Sequence, residues 1–308
     1  MIQQQIHTRL MGSDFQLVVI EKDMDLAARR LREGVDEIER IEDLLTVFRA
    51  HSQTSLLNNQ AGDGPVTVDP EFYRIVERCI HLSSLTQGAF DITAGALTAL
   101  YNFKEKVPRI PDTALLNATL ANVGYRHILM GSDNSISLTR KGMRIGFGAV
   151  GKGYAADCVK ALWKAAGVEA GVINASGDLT AWGNRPDGSP WKIGIADPGN
   201  PSNILLWLPV SDCSVATSGN YEQYFELNGI RYSHNIDPRT GIPVRSIKSV
   251  TIISPSAELS DALATAVTVM GVEAGLHLID QLPRVYGIII DEKDRIIKSR
   301  KIQTHVYS

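Results

Sequence analysis

Residues 146–157 read Gly146-Phe-Gly148-Ala-Val-Gly151-Lys152-Gly153-Tyr-Ala-Ala-Asp157, the densest glycine run in the chain. How this stretch is read decides the fold. Gly146, Gly148 and Gly151 satisfy G-x-G-x-x-G, the dinucleotide fingerprint of doubly wound parallel sheets. That fingerprint has to close a βαβ unit, and the strand available before it, 143–145, is short. Glu169, near the place of the ribose-binding carboxylate, falls in a turn between Gly167 and Gly171. Gly146 to Lys152 also has P-loop spacing, with Ile288-Ile-Ile-Asp291-Glu292 imitating a Walker B strand. The residue after the lysine is Gly153, however, where a P-loop needs a Ser or Thr hydroxyl for magnesium. The third reading is a tight glycine turn packed under a helix. Exposed amides at that helix start, with Lys152 beside them, form a natural phosphate site.

Outward from this stretch the chain separates into two textures. Leu31, Val35, Ile38, Ile41 and Leu45 recur at three- and four-residue steps, the stripe of a long amphipathic helix over 24–47. Asp69-Pro70 reads as an N-cap followed by proline at the first helical position. Phe72, Ile75, Val76, Cys79 and Leu82 then continue one face toward Gly88. Shorter helices are predicted from about 111 to 124 and from about 153 to 167. Beyond residue 170 the runs become strands: 172–174, 191–196, 204–210 and 249–254, each bounded by turn-forming residues. Residues 224–227 and 230–232 flank Asn228-Gly229, a pair that primed hairpin turns favour. A helix returns over 260–270, and 285–291 with 295–298 makes a last hairpin. This is an α+β texture, long helices packed on antiparallel sheets, rather than a regular βαβ series.

Composition narrows the function classes. The chain has 308 residues, 44% hydrophobic and 21% charged, enough apolar content to fill a core. At that length it is one domain over 1–308, or two intimately packed subdomains. A net charge of −3 offers no basic field for nucleic acid. Cys79, Cys158 and Cys213 are scattered, which argues against a disulfide scaffold or a zinc site. The first residues lack a basic stretch leading into an apolar one, and no apolar run approaches the ~18 residues of a transmembrane segment. The expected location is therefore cytoplasmic, or periplasmic if a leader has been removed.

Three further stretches could carry chemistry. Asp261 and Thr265 are four apart on a predicted helix, so carboxylate and hydroxyl share one face. Hard oxygens so placed suit magnesium, while the plainer alternative is a first-turn Asp complementing the helix dipole. His234 leaves a predicted strand just before Asp237-Pro238-Arg239-Thr240-Gly241. It could act as a general base, stack on an aromatic ligand, or be a hydrogen-bonded structural histidine. Residues 87–93 and 216–222 combine tight turns with hydroxyls or aromatics, and singly each reads as a capped loop.

Together these stretches resemble the FAD:protein FMN transferase family, the ApbE-type flavin transferases, over nearly the whole chain. Met11-Gly12-Ser13 matches the family's opening Met-Gly-Thr. Leu45-Thr-Val-Phe48-Arg49 with Ser52 through Asn58 is similar to its Leu-Ser-x-Tyr-Arg…Asp-Ser…Leu-Asn stretch. Gly88-Ala-Phe-Asp91-Ile-Thr93 and Gly148–Asp157 match its Gly-Ala-Phe-Asp-x-Thr and Lys-Gly-Tyr-Ala-x-Asp motifs. Asn174-Ala-Ser-Gly177-Asp178, Ala216-Thr-Ser-Gly219, His234 through Gly241 and Asp261-Ala-Leu-Ala-Thr265 follow in register. Seven or eight weak motifs in consistent order override both glycine decoys.

The resemblance implies a T-fold-related α+β architecture and a reaction. FMN passes from FAD, the substrate, to a Ser or Thr hydroxyl of a target flavoprotein with an Asp-x-x-x-Ser/Thr-Gly-Ala-Ser/Thr type motif, and AMP is released. The alternatives are a magnesium-dependent FAD pyrophosphatase giving FMN and AMP, and a non-catalytic FAD-binding protein. By the family pattern Asp261, Thr265 and the carbonyl of Ala149 hold Mg2+, and Lys152 faces the phosphates. Met11, Phe48, Ala89, Phe90 and Asp91 line the FAD pocket, Asn235 lies on the flavin-side loop, and His234 activates the hydroxyl. Four positions depart from the pattern: Gly146 replaces Asp, Asn235 an apolar residue, Ala149 Gly, and Phe48 Tyr.

Overall fold

The computed structural model describes residues 1–101, 103, 110–220, 223–227, 230–300 and 302. The chain opens with a hairpin, β1 (Ile2–Leu10) and β2 (Ser13–Glu21), followed by α1 (Met24–Leu45), α2 (Gln53–Asn59), β3 (Val66–Thr67), α3 (Pro70–Leu85), α4 (Gly95–Tyr101) and α5 (Thr113–Leu120). Next come β4 (Ile128–Met130), β5 (Ser135–Leu138), α6 (Gly151–Ala165), β6 (Ala170–Ala175), β7 (Asp178–Trp182), β8 (Trp191–Asp197) and β9 (Asn200–Val210). The chain continues through β10 (Cys213–Gly219), β11 (Tyr224–Leu227), β12 (Ile230–Ser233), β13 (Ile247–Ser254), α7 (Ala257–Met270), α8 (Val272–Gln281), β14 (Tyr286–Asp291) and β15 (Ile296–Lys298).

Eight strands form the main sheet in the order β1-β2-β6-β7-β10-β13-β14-β15. Each neighbouring pair in it is antiparallel, which disposes of the doubly wound readings of the glycine run. Helices α1, α6 and α7 pack on this sheet. Their approach depends on small residues: a Cβ at Gly34 of α1 would stand 2.8 Å from Leu17 and 2.9 Å from Trp163.

Local chemistry explains the element ends. Asp23 caps α1 by accepting from the Leu26 amide, and Asp69 caps α3 with Pro70 at its start. Met11 and Gly12, with φ of 50° and 72°, make the two-residue turn between β1 and β2 that a right-handed strand twist favours.

Four expectations change. Residues 143–145 are not a strand; instead Asn58 imitates one, its Oδ1 accepting from the Ile145 amide at 2.7 Å and its Nδ2 donating to the Ile145 carbonyl at 3.0 Å. Helix α6 begins at Gly151 rather than 153, and α7 at Ala257 rather than 260, because Ser256 caps it. Helix α5 stops at Leu120, well short of Gly124. The Asn228-Gly229 turn lies outside the described residues. Among the described residues no helix is long and apolar enough to cross a membrane.

Candidate functional site

Two hollows adjoin above the start of α6. The first, about 320 Å³, is walled by Ala89, Phe90, Asp91, Gly146, Gly148, Ala149, Lys152, Asp178, Thr217, Ser218, His234, Asn235, Asp261 and Thr265, among others. The second, about 520 Å³, is walled by Met11 to Ser13, Glu42, Leu45 to Phe48, Phe147, and again Gly146, Gly148 and Lys152. The chain thus brings Met11 and Phe48 to one hollow and the other sequence-predicted site residues to its neighbour. The glycine run and Lys152 form the shared wall.

The second hollow is held by the β1–β2 turn and the end of α1. Glu42 Oε2 accepts from the Met11 amide at 2.8 Å, fixing a residue whose positive φ is costly for a side chain with a Cβ. Beyond α1, Ser52 donates to the Thr46 carbonyl and Thr54 to the Leu45 carbonyl. Phe48 is left 94% exposed, an apolar ring with little of its own protein to touch.

The glycines of the shared wall have different reasons to be there. Gly153 faces α7 so closely that a Cβ would stand 2.4 Å from the Ala257 carbonyl oxygen. This answers the P-loop reading: the residue after Lys152 is glycine because a second helix lies against it. Gly148 has no neighbour within 4 Å of such a Cβ and no left-handed backbone, so nothing in the chain itself demands glycine. It lines both hollows, where a ligand can approach the backbone. Val150, the N-cap of α6, makes no side-chain capping bond. The Gly151 amide donates to the Phe147 carbonyl at 2.7 Å, so an anion at this helix start would meet the amides that follow it.

Helix α7 presents hard oxygens. Asp261, 7% exposed, and Thr265 lie one turn apart and both line the first hollow, as does Ala149. Asp261 sits a full turn inside α7, so the first-turn dipole explanation does not apply. A carboxylate, a hydroxyl and a peptide carbonyl are all-oxygen donors, which fit magnesium and leave room for phosphate oxygens. Among the described residues no three His, Cys, Asp or Glu side chains gather as a metal cluster. The set on α7 contains only one carboxylate and is outside that pattern.

Across the hollow, Lys152 Nζ lies 2.6 Å from Asp178 Oδ2. Burial pushes the Asp178 carboxyl up, against the pull of Lys152. His234 Nδ1 is 3.1 Å from the Gln223 carbonyl, which can only accept, so Nδ1 carries the proton and Nε2 the lone pair. Burial lowers the His234 pKa; the Gln223 contact opposes this, and the charge of Lys152 adds to the lowering. The imidazole is therefore neutral near pH 7, the state a general base needs.

Two cavity residues are committed to the protein. Asp91 Oδ1 accepts from the Thr93 amide and hydroxyl, and Oδ2 from the Tyr125 amide at 2.7 Å. Asn235, buried where the family pattern has an apolar residue, donates from Nδ2 to Asn220 Oδ1 at 2.9 Å. Asn220 in turn donates to the Ile247 carbonyl.

Sequence reasoning gave no role to Asp178 or to Thr217 and Ser218, which also line the hollow. The signal for Asp178 was its place after Gly177 in a turn where Asn174 Oδ1 accepts the Gly177 amide. Thr217 and Ser218 lay in a stretch that reads as an ordinary loop and is in fact the end of β10.

Comparison with known proteins finds relatives over nearly the whole chain. The profile of the ApbE family matches residues 11–289. The chain is 32% identical over 292 residues to the FAD:protein FMN transferase of Treponema pallidum, covering 90% of this chain and 81% of that one. It is 33% identical over 293 residues to one from Klebsiella pneumoniae, covering 94% and 90%. Among solved structures, an ApbE protein from Thermotoga maritima superposes with a TM-score of 0.89 at 28% identity over 97% of each chain. The flavin transferase ApbE from Vibrio cholerae gives 0.86 at 27% identity over 96% of each.

Proposed function

The chain belongs to the ApbE family, and from that premise we propose that it transfers FMN from FAD to a Ser or Thr hydroxyl of a target flavoprotein, with magnesium, releasing AMP. The observation that carries the reading is the pair of hollows meeting at Gly148 and Lys152. A dinucleotide has two bulky ends joined by a diphosphate, and this arrangement offers a place for each end and a cationic, amide-rich wall between them. One sheet holds both the first and last strands, which supports reading the chain as a single domain.

Each residue then has a task. Lys152 and the α6 amides that follow Gly151 bind the diphosphate, and Asp178 holds the lysine in place. Asp261, Thr265 and the Ala149 carbonyl would hold magnesium, which when bound neutralises the diphosphate and the charge developing on the leaving oxygen. His234 Nε2 takes the proton of the acceptor hydroxyl as its oxygen bonds to the FMN-side phosphorus. The bond from that phosphorus to the bridging oxygen breaks, and the bridging oxygen leaves with AMP. Phe48 and Met11 supply apolar surface for one end of FAD.

The test is mass spectrometry of a candidate acceptor incubated with FAD, magnesium and this protein. An added FMN mass on a Ser or Thr, matched by AMP, is the expected result. FMN and AMP appearing with no adduct would mean that water is the acceptor and the protein is a pyrophosphatase.

A further inference from the structure

The two side-chain magnesium donors, Asp261 and Thr265, stand on α7 while the phosphate-binding lysine and Ala149 belong to α6 and the turn before it, so something must fix one helix against the other. On α7, Ala257, Asp261 and Thr265 recur every fourth residue and form a single stripe. The lower end of this stripe, Ala257, meets Gly153 of α6, next in sequence to Lys152. One turn further along α6, Asp157 reaches across to the same end of α7. Its Oδ1 accepts from the Ala257 amide at 3.0 Å and its Oδ2 from the Glu258 amide at 2.9 Å. Ser256 Oγ takes the Leu259 amide at 3.1 Å, and the Ser256 carbonyl takes the Ser260 amide at 3.0 Å. The amides that open α7 are thus all accounted for, and two of them are bound by a side chain of the other helix. Ser260, beside Asp261, pins the first turn of the helix through Ser254 Oγ at 2.8 Å and the Ser214 carbonyl at 3.3 Å.

We propose that Asp157 is a positioning residue: with Gly153 it clasps the start of α7 to α6 and thereby sets the distance from Asp261 and Thr265 to Lys152. Asp157 touches neither hollow and acts through the α7 backbone. The proposal rests on the magnesium assignment of the preceding subsection. It adds that metal affinity is controlled from the neighbouring helix.

The experiment compares wild type, Asp157→Ala, Asp157→Asn and, as control, Asp23→Ala, which removes the cap of α1. Mn2+ is titrated into each protein without FAD, and the free-ion EPR signal gives the dissociation constant. A residue that orients ligands from outside the inner shell changes metal affinity by about ten-fold or more, and Asp157→Ala is expected to do so. Asp157→Asn, which keeps one acceptor, should fall between it and wild type. Asp23→Ala, whose cap lies on α1, should lower the melting temperature and keep the dissociation constant within about two-fold, because the tie between α6 and α7 is intact. In turnover, Asp157→Asn should need more Mg2+ for half-maximal rate, recover its rate at saturating Mg2+ and keep its KM for FAD. Wild-type Mn2+ affinity in Asp157→Asn, or in a folded Asp157→Ala, would overturn the proposal. If Asp157→Ala does not fold, Asp157→Asn decides alone. A wild-type protein that neither binds Mn2+ nor needs Mg2+ would instead remove the metal assignment itself, and the positioning role with it.

Discussion

Lys152 Nζ sits 2.6 Å from Asp178 Oδ2, and the carboxylate end of the pair is the buried one. A buried carboxylate is tolerable here because the lysine neutralises it, and the lysine in turn is held at the wall shared by both hollows. Lys152→Met leaves Asp178 buried without its cation, which costs about 3 kcal/mol of folding stability. FAD affinity should fall as well. Asp178→Asn should cost less stability, since a neutral amide replaces the charge. Denaturant melts and FAD fluorescence quenching on both variants check the order.

His234 sets a pH dependence. Burial, with Lys152 adding to it, holds the imidazole below its ordinary pKa of 6.5. The neutral base is fully present above that ordinary value, and activity is lost as pH falls through the lowered one. The acid limb of kcat/KM should therefore have its midpoint below 6.5 and be missing in His234→Ala. Lys152→Met should move the limb upward in whatever activity remains. The linked stability has the same sign: it is present above the unfolded-state pKa and lost as acid protonates the buried ring.

Asp261→Ala should remove magnesium-dependent turnover. Losing several kcal/mol of transition-state stabilisation corresponds to roughly a thousand-fold in rate. FAD binding measured in EDTA should survive, because the lysine and the α6 amides are untouched. Unchanged turnover would sink the assignment of Asp261 to the metal.

Gly148 and Gly153 separate ligand from fold within one short run. Gly153→Ala drives a Cβ into the Ala257 carbonyl and should cost about 1–3 kcal/mol, seen as a lower melting temperature. Gly148→Ala meets nothing within 4 Å and should melt like wild type. Its FAD affinity should drop at least about ten-fold, since even 1.4 kcal/mol of crowding at the ligand has that effect. Equal melting losses in the two variants would refute this division.

Asn235→Leu restores the apolar residue of the family pattern but strands Asn220 Oδ1 in the interior. Leaving a buried polar atom unsatisfied costs about 1–3 kcal/mol. Adding Asn220→Leu should not add a full second penalty, so the pair is expected to be strongly non-additive in a double-mutant cycle followed by thermal melts.

Much of this was legible in the sequence where periodicity or order of motifs carried it. The stripe Leu31-Ile38-Ile41-Leu45 and the Asp69-Pro70 start gave two helices nearly to the residue. The first hairpin was missed. Strand β1 keeps one face exposed and the other half buried until Leu10, and Gln3, Gln4 and Gln5 blur the alternation that marks a strand. The start of α7 carries a local signal in its N-cap Ser256, while the rest of its cap is Asp157, far away in sequence, which no local pattern discloses. Lys152 and Asp261 could be named from motif order. The Asp178 partnership could not, since this ion pair depends on how helix α6 packs against strand β7.

The pairing of β2 with β6 has a consequence for biosynthesis. Ile20 lies opposite Ala170, so the second strand made must wait for the sixth before its free edge is satisfied. Contacts this distant along the chain form slowly, after a large loop has closed. The walls of the two hollows come from residues as far apart as Met11 and Thr265. In a growing chain the second hollow can be walled once Lys152 is made, but the first stays open until α7 has left the ribosome, so under the proposed function the complete dinucleotide site is expected only late in synthesis.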